Sequence, residues 1–195
     1  MKKLQWNADL ATAAGRRLVL VRHTRPEIPP GVCYGRIDLE LAPSWPADVA
    51  ACLATIPRAL RVLTSPALRC RALAREVGRR DRIDVQVDDR LQELDFGAWE
   101  GRSWSDIPRD GIERWIADLL DYAPGGGESL RMLWSRVQAW REEALGPEDA
   151  DVVVVSHHGP IRALLAQLAG HPAERMFTHR VPWGCVLRVD RAAPY

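Results

Sequence analysis

No two cysteines in this 195-residue sequence are spaced as Cys-x-x-Cys, and there are only four, Cys33, Cys52, Cys70 and Cys185. That spacing indicates neither a zinc knuckle nor a disulfide framework, so the four thiols are expected to be reduced and mostly buried. No run approaches the ~20 apolar residues that a helix needs to span a bilayer. Met1-Lys2-Lys3 has the look of a signal-peptide start, but Gln5, Asn7 and Asp9 interrupt what would have to be its apolar stretch. The cytoplasm is therefore the expected location, with no membrane partner. An excess of one charge is missing too. The formal net charge is +1, too small for a broad nucleic-acid surface, so any affinity for anions must be local. Internal repeats, low-complexity linkers and the Gly-Lys-Ser/Thr of a nucleotide P-loop are likewise absent.

What is present suits one α/β domain. Hydrophobic residues make up 47% and charged residues 27%, ordinary globular values, and the length gives room for one substantial core. Residues 1–15 are expected to form a loose N-terminal extension, and 16–195 a single domain with a helical insertion at about 98–145. Leu18-Val19-Leu20-Val21 is an apolar run that stops at Arg22-His23, the pattern of a buried parallel strand delivering two basic residues to one sheet edge. In open α/β sheets that edge is where ligands bind. Asp151 to Ser156 repeats the figure and runs into His157-His158-Gly159-Pro160.

Between these strands the pattern predicts a helix over Ala47 to Leu60, ended or kinked by Pro57, and a strand over Arg61 to Thr64. Ser65 is the expected N-cap of a second helix, with Pro66 at its first position and its end at Gly78. Ile83 to Val87 alternates as a strand. Trp99 to Trp140 reads as helical, with most of its tryptophans in the core and Gly125-Gly126-Gly127 as a flexible hinge. A helix over Ile161 to Leu168, opened by Pro160, and a strand over Cys185 to Val189 complete the chain. Strands alternating with helices imply a three-layer α/β/α sandwich on a mainly parallel sheet.

Arg22 and His23 after one strand, Arg69 in a helix's first turn and His157 before another helix converge on one edge. Two helix N-termini beside two arginines suit an oxyanion, and guanidinium forks match phosphate geometry. Histidine and carboxylate are also metal ligands, which makes His23, His157, His158 and Glu93 a candidate metal set. Two neighbouring arginines would repel a divalent cation, however, and no His-x-x-x-His pair occurs, so no metal and no cofactor are expected. A neutral histidine can act as a nucleophile, and cationic neighbours keep it neutral. Glu93, between two leucines, is the best available acid. The proline-rich and glycine-rich loop from Thr24 to Leu41 starts at the candidate nucleophile and is long enough to be functional.

Arg22-His23-Thr24, Ser65-Pro66-x-x-Arg69, Leu91-x-Glu93-x-x-x-Gly97-x-x-Glu100-Gly101 and Ser156-His157 with Gly159-x-Ile161-Arg162, in that order, resemble the motifs of the histidine phosphatase superfamily, the phosphoglycerate-mutase-like enzymes. The resemblance implies that fold and a metal-independent phosphomonoester hydrolase. It makes His23 the phosphorylated nucleophile, Glu93 the proton donor, and Arg22, Arg69 and His157 the phosphate pocket. Two positions depart from the family pattern, because Thr24 and His158 stand where glycine is usual. Thr24 can still offer its backbone N–H, whereas His158 either crowds the pocket or adds a donor.

Arg22 to Pro26 with Cys33-Tyr34-Gly35-Arg36-x-Asp38, and Gly127-Glu128-Ser129, resemble the α-ribazole phosphatase branch, which acts late in cobalamin assembly. Tyr34 and Arg36 then join Thr24 and His158 as expected substrate contacts. The expected partner is a small-molecule phosphomonoester; the oligomeric state is open, with a homodimer as one option. A phosphoglycerate-type mutase is the first alternative, though family mutases carry extra segments that close over the site, and only six residues follow the last expected strand. A catalytically silent phosphate-ligand binding domain is the second.

Overall fold

The computed structural model describes residues 17–146 and 151–190; the expected N-terminal extension lies outside the described residues. Five strands, β1 (Arg17–Arg22), β2 (Arg61–Thr64), β3 (Val85–Val87), β4 (Val152–Ser156) and β5 (Val186–Asp190), form one sheet in the order β3-β2-β4-β1-β5. All pairings are parallel except that of β5 with β1. The helices are α1 (Trp45–Thr55), α2 (Leu68–Asp81), α3 (Arg109–Ala117), α4 (Leu130–Ala144) and α5 (His158–Leu168), with short 3-10 turns between them.

Alternation along the strands builds the three layers. Leu18, Leu20, Val152 and Val154 face one side and pack with Leu133, Val137 and Trp140 of α4 and Ile161 and Leu164 of α5. Val19, Val21, Val153 and Val155 face the other and pack with Val49 and Cys52 of α1 and Cys70, Leu73 and Val77 of α2. Both faces of β1 and β4 are thus apolar, which is why each reads as an unbroken hydrophobic run. Each such side chain contributes roughly 1.5–3 kcal/mol on burial. Parallel register sets Arg22 opposite Ser156, so the residues that follow, His23 and His157, leave the sheet side by side.

Several expected boundaries shift. α1 starts at Trp45 and stops at Thr55, because Ile56 precedes Pro57 and is held extended. α2 passes through Gly78 to Asp81, and Arg82 ends it with left-handed backbone at φ 61°. Gly78 marks close packing instead of an end, since a Cβ there would lie 2.8 Å from the Ile83 carbonyl and from Val85. β3 is confined to Val85–Val87. α5 begins at His158, which puts Pro160 at its third residue, still among the amides that need no helical partner.

The stretch from Trp99 to Trp140 is only partly helical. Pro108 sets the start of α3, and Pro124 with the glycines after it separates α3 from α4. Trp99 and Trp140 are buried, but Trp104 is 38% exposed. Gly125-Gly126-Gly127 is not a hinge. It crosses the chain at Gly97 so closely that a Cβ on Gly97 would stand 2.3 Å from the Gly125 carbonyl, and one on Gly127 equally near the Asp95 carbonyl. Glu128 N–H donates to Asp95 O at 2.8 Å, and the Ser129 hydroxyl caps α4 by accepting from Met132 N–H.

The long loop from Thr24 to Leu41 is pinned by bridges between Pro26 and Leu41 and between Val32 and Ser103. The Glu100 carboxylate accepts the backbone N–H groups of Arg36, Ile37 and Phe96, tying this loop to the segment that carries Glu93.

Candidate active site

His23 is buried, and its Nδ1 lies 2.7 Å from the Thr24 carbonyl oxygen. A carbonyl only accepts, so Nδ1 carries the ring proton and Nε2 keeps its lone pair. Burial holds the His23 pKa well below its ordinary value, and Arg69 and Arg22 push it further down against the opposing Thr24 carbonyl. The ring is neutral at pH 7.

His157 lies 5.1 Å from His23 between ring centroids, edge to face. It too is held well below its usual pKa, by burial first and then by Arg69. Ser65 Oγ sits 2.7 Å from its Nε2, and Cys70 Sγ 3.4 Å. Ser65 therefore serves His157 instead of capping α2, and the cap comes from Asp38, which accepts Leu68 N–H at 2.7 Å. Burial pushes the Cys70 thiol up to about 12, leaving it protonated and inert.

Arg69 is fully buried and donates through Nη1 to Ile37 O at 3.0 Å and through Nη2 to Gly35 O at 2.6 Å. Arg22 donates through Nη1 to Val181 O at 2.7 Å. The Nε of each, and the Thr24 hydroxyl, are buried without a partner. Among the described residues, no carboxylate forms an ion pair with Arg22 or Arg69. Each orphaned donor costs about 1–3 kcal/mol. An oxyanion would satisfy such donors and balance the charge.

Glu93 accepts Gly159 N–H and Leu94 N–H, each at 3.0 Å. One first-turn amide of α2 and one of α5 are thus taken by the protein's own carboxylates, Asp38 and Glu93, so the two helix N-termini offer an anion their remaining amides. Arg136 fixes the Glu93 segment by donating to Arg90 O and Glu93 O, while the buried Glu128 carboxylate holds Arg136 at 2.6 and 2.8 Å.

Glu93 stands between two concavities. One, of about 180 Å³, is lined with Gly35, Arg36, Pro66 and His157. The other is a recess of about 250 Å³ walled by Tyr34, Phe96, Trp104, Trp115 and Phe177, with Arg22, His158 and Arg162 also on its surface.

The structure thus brings Arg22, His23, Arg69, Glu93 and His157 to one edge. Thr24 contributes its carbonyl to His23. His158 lines the recess, and burial with Arg162 and Arg22 lowers it to about 4. Arg36 lines the smaller cleft, but its guanidinium is shared with Glu128 at 3.3 Å and Asp95 at 3.7 Å. Trp183 and the Glu128–Arg136 pair went unnoticed in the sequence; a tryptophan between Pro182 and Gly184 was the available signal for the first. Among the described residues no three His, Cys, Asp or Glu side chains gather as a metal-ligand set.

The family model described as histidine phosphatase superfamily (branch 1) matches residues 18–193. The chain belongs to this superfamily. Its sequence is 36% identical over 157 residues to a bifunctional protein of Mycobacterium tuberculosis, covering 76% of this chain and 43% of that one. It is 32% identical over 162 residues to phosphoserine phosphatase 1 of Hydrogenobacter thermophilus, covering 79% and 76%. The histidine phosphatase chain thus spans less than half the length of the curated relatives it matches first. Among solved structures, the α-ribazole phosphatase of Shigella flexneri superposes with a TM-score of 0.79 at 28% identity, covering 89% of this chain and 90% of that one. The mainly parallel five-stranded sheet with helices on both faces is the architecture of these phosphoglycerate-mutase-like neighbours.

Proposed function

We propose that the chain is a metal-independent phosphomonoesterase that works through a phosphohistidine on His23. The observation that carries this reading is a neutral, buried histidine with a free Nε2 lone pair beside two guanidinium groups that no carboxylate neutralises. The Nε2 lone pair attacks phosphorus in line. The ester P–O bond breaks, and Glu93 gives its proton to the departing alcohol oxygen. Arg22, Arg69 and His157 meet the charge on the phosphoryl oxygens throughout, with Ser65 able to donate to His157 Nε2 so that its Nδ1–H is a donor. Water then attacks phosphorus, Glu93 takes its proton, and the P–N bond breaks with its electron pair returning to Nε2.

The proposed substrate class has a flat heterocyclic leaving group, with α-ribazole 5′-phosphate the member favoured by the sequence resemblance. The aromatic walls of the recess beside Glu93 support this, since stacking on such a face is worth ~1–3 kcal/mol per ring. The four free thiols fit a reducing compartment, the cytoplasm.

Turnover of α-ribazole 5′-phosphate, phosphoserine and 3-phosphoglycerate by the purified protein tests the substrate. The expected kcat/KM is highest for the heterocyclic ester, and Phe177→Ala should raise KM for it more than for 3-phosphoglycerate. Preference for either small aliphatic phosphate would overturn the substrate assignment. Failure to hydrolyse these and 4-nitrophenyl phosphate would leave a binding domain.

A further inference from the structure

Arg22 and Arg69 lie on different elements, bear like charge and lack an ion-pair partner among the described residues. Like charges repel, so two such groups that serve one anion have to be held in place by something other than a carboxylate. An aromatic bridge runs from one to the other. The Arg22 guanidinium carbon lies 5.2 Å from the Trp183 ring centroid. Trp183 Nε1 donates to the Tyr34 hydroxyl oxygen at 3.2 Å. The Tyr34 ring centroid, in turn, lies 5.5 Å from the Arg69 guanidinium carbon.

Each end of the bridge belongs to a loop that already holds an arginine. The Trp183 loop accepts Arg22 Nη1 at Val181 O and Arg22 N–H at Cys185 O, and it donates Gly184 N–H to His23 O. Gly184 has φ +67°, the left-handed turn that lets the chain reverse directly after the indole. The Tyr34 loop supplies the Gly35 and Ile37 carbonyls to Arg69.

We infer that Trp183 and Tyr34 are positioning residues that hold the two phosphate-binding arginines at their working separation without neutralising either. A ring face attracts a cation through its quadrupole, and a carbonyl through its dipole, yet neither bears net charge. Both guanidiniums therefore keep their full charge for the substrate. A carboxylate in either place would fix the arginine equally well but would compete with the phosphoryl oxygens. The inference rests on the phosphatase reading of the site and adds to it two residues that never touch the reacting atoms.

Calorimetric titration with inorganic phosphate, together with kcat and KM on 4-nitrophenyl phosphate, tests the bridge. Trp183→Phe and Tyr34→Phe each remove one end of the same hydrogen bond, so each should weaken phosphate binding about threefold to tenfold. KM should rise in step while kcat changes less than about twofold, as expected when uniform binding is lost. The double variant should bind no more weakly than the worse of the two singles, because the bond can be lost only once. Trp183→Ala, which also removes the ring, should weaken binding further. Phosphate affinity within about twofold of wild type in Trp183→Ala would overturn the bridge, as would losses that multiply in the double variant. If Trp183→Ala fails to fold, the two phenylalanine variants decide the matter. Absence of phosphate binding in the wild-type protein would overturn the site reading and the bridge together, whereas normal wild-type binding with unaffected variants would overturn the bridge alone.

Discussion

Gly159 donates its backbone N–H to the Glu93 carboxylate at 3.0 Å, joining residues that are 66 positions apart in sequence. A Cβ on Gly159 would stand 2.4 Å from Glu93 Oε1. The carboxylate, as the end of a flexible side chain, would have to give way. Gly159→Ala should therefore lower kcat/KM on alkyl phosphates at least about tenfold, with unchanged circular dichroism and little loss on 4-nitrophenyl phosphate. Equal activity on both substrates would show that Glu93 need not sit where it does.

Glu93→Gln removes the proton without removing the side chain. Alkyl esters, whose alcohols leave poorly, should lose about 10²–10⁴-fold in rate, the usual contribution of a general acid. Activated aryl esters barely need a proton and should lose far less in the first step. Steady-state rates on a series of leaving groups check this, and a loss independent of the leaving group would remove Glu93 from the acid role.

His23 and His157 are held well below their ordinary pKa, and His158 is lowered to about 4, with burial the first cause in each case. A histidine kept neutral in the folded state takes up its proton more readily when unfolded. Folded stability should accordingly be intact above about pH 6.5 and fall as the pH drops below it, with a slope of up to about 1.4 kcal/mol per pH unit per histidine. Urea unfolding between pH 7 and 4.5 measures the slope, and His158→Asn should reduce it. A flat profile over this range would contradict neutral buried histidines.

Much of the candidate site was legible because its parts sit at element ends that the sequence marks clearly. The apolar runs of β1 and β4 stop at Arg22-His23 and Ser156-His157, and the parallel register does the rest. Misread features were those set by contacts distant in sequence. Ser65 looks like an N-cap until His157 arrives from 92 residues away, and Gly78 looks like a helix end until β3 packs against it. The triple glycine resembles a hinge locally, but Asp95, Phe96 and Gly97, approaching from another segment, leave no room for a side chain at Gly125 or Gly127. Arg36 reads as a substrate contact because Glu128 and Asp95, which share its guanidinium, lie far along the chain.

In the proposed mechanism Arg22 and Arg69 supply the positive charge that a divalent ion provides in metal-dependent phosphatases. Activity should consequently survive prolonged treatment with EDTA with less than about twofold loss. Inactivation by the chelator, reversed by an added divalent ion, would restore a metal to the mechanism.

In the proposed reaction the phosphoryl group passes through His23. It is tested most directly by quenching the enzyme during turnover and mapping the phosphorylated peptide under alkaline conditions, where a phosphoramidate survives. The account predicts an acid-labile, alkali-stable phosphoryl group on His23, absent from His23→Ala, which should retain less than a tenth of wild-type activity. A phosphoryl group on a serine, or full turnover by His23→Ala, would contradict it.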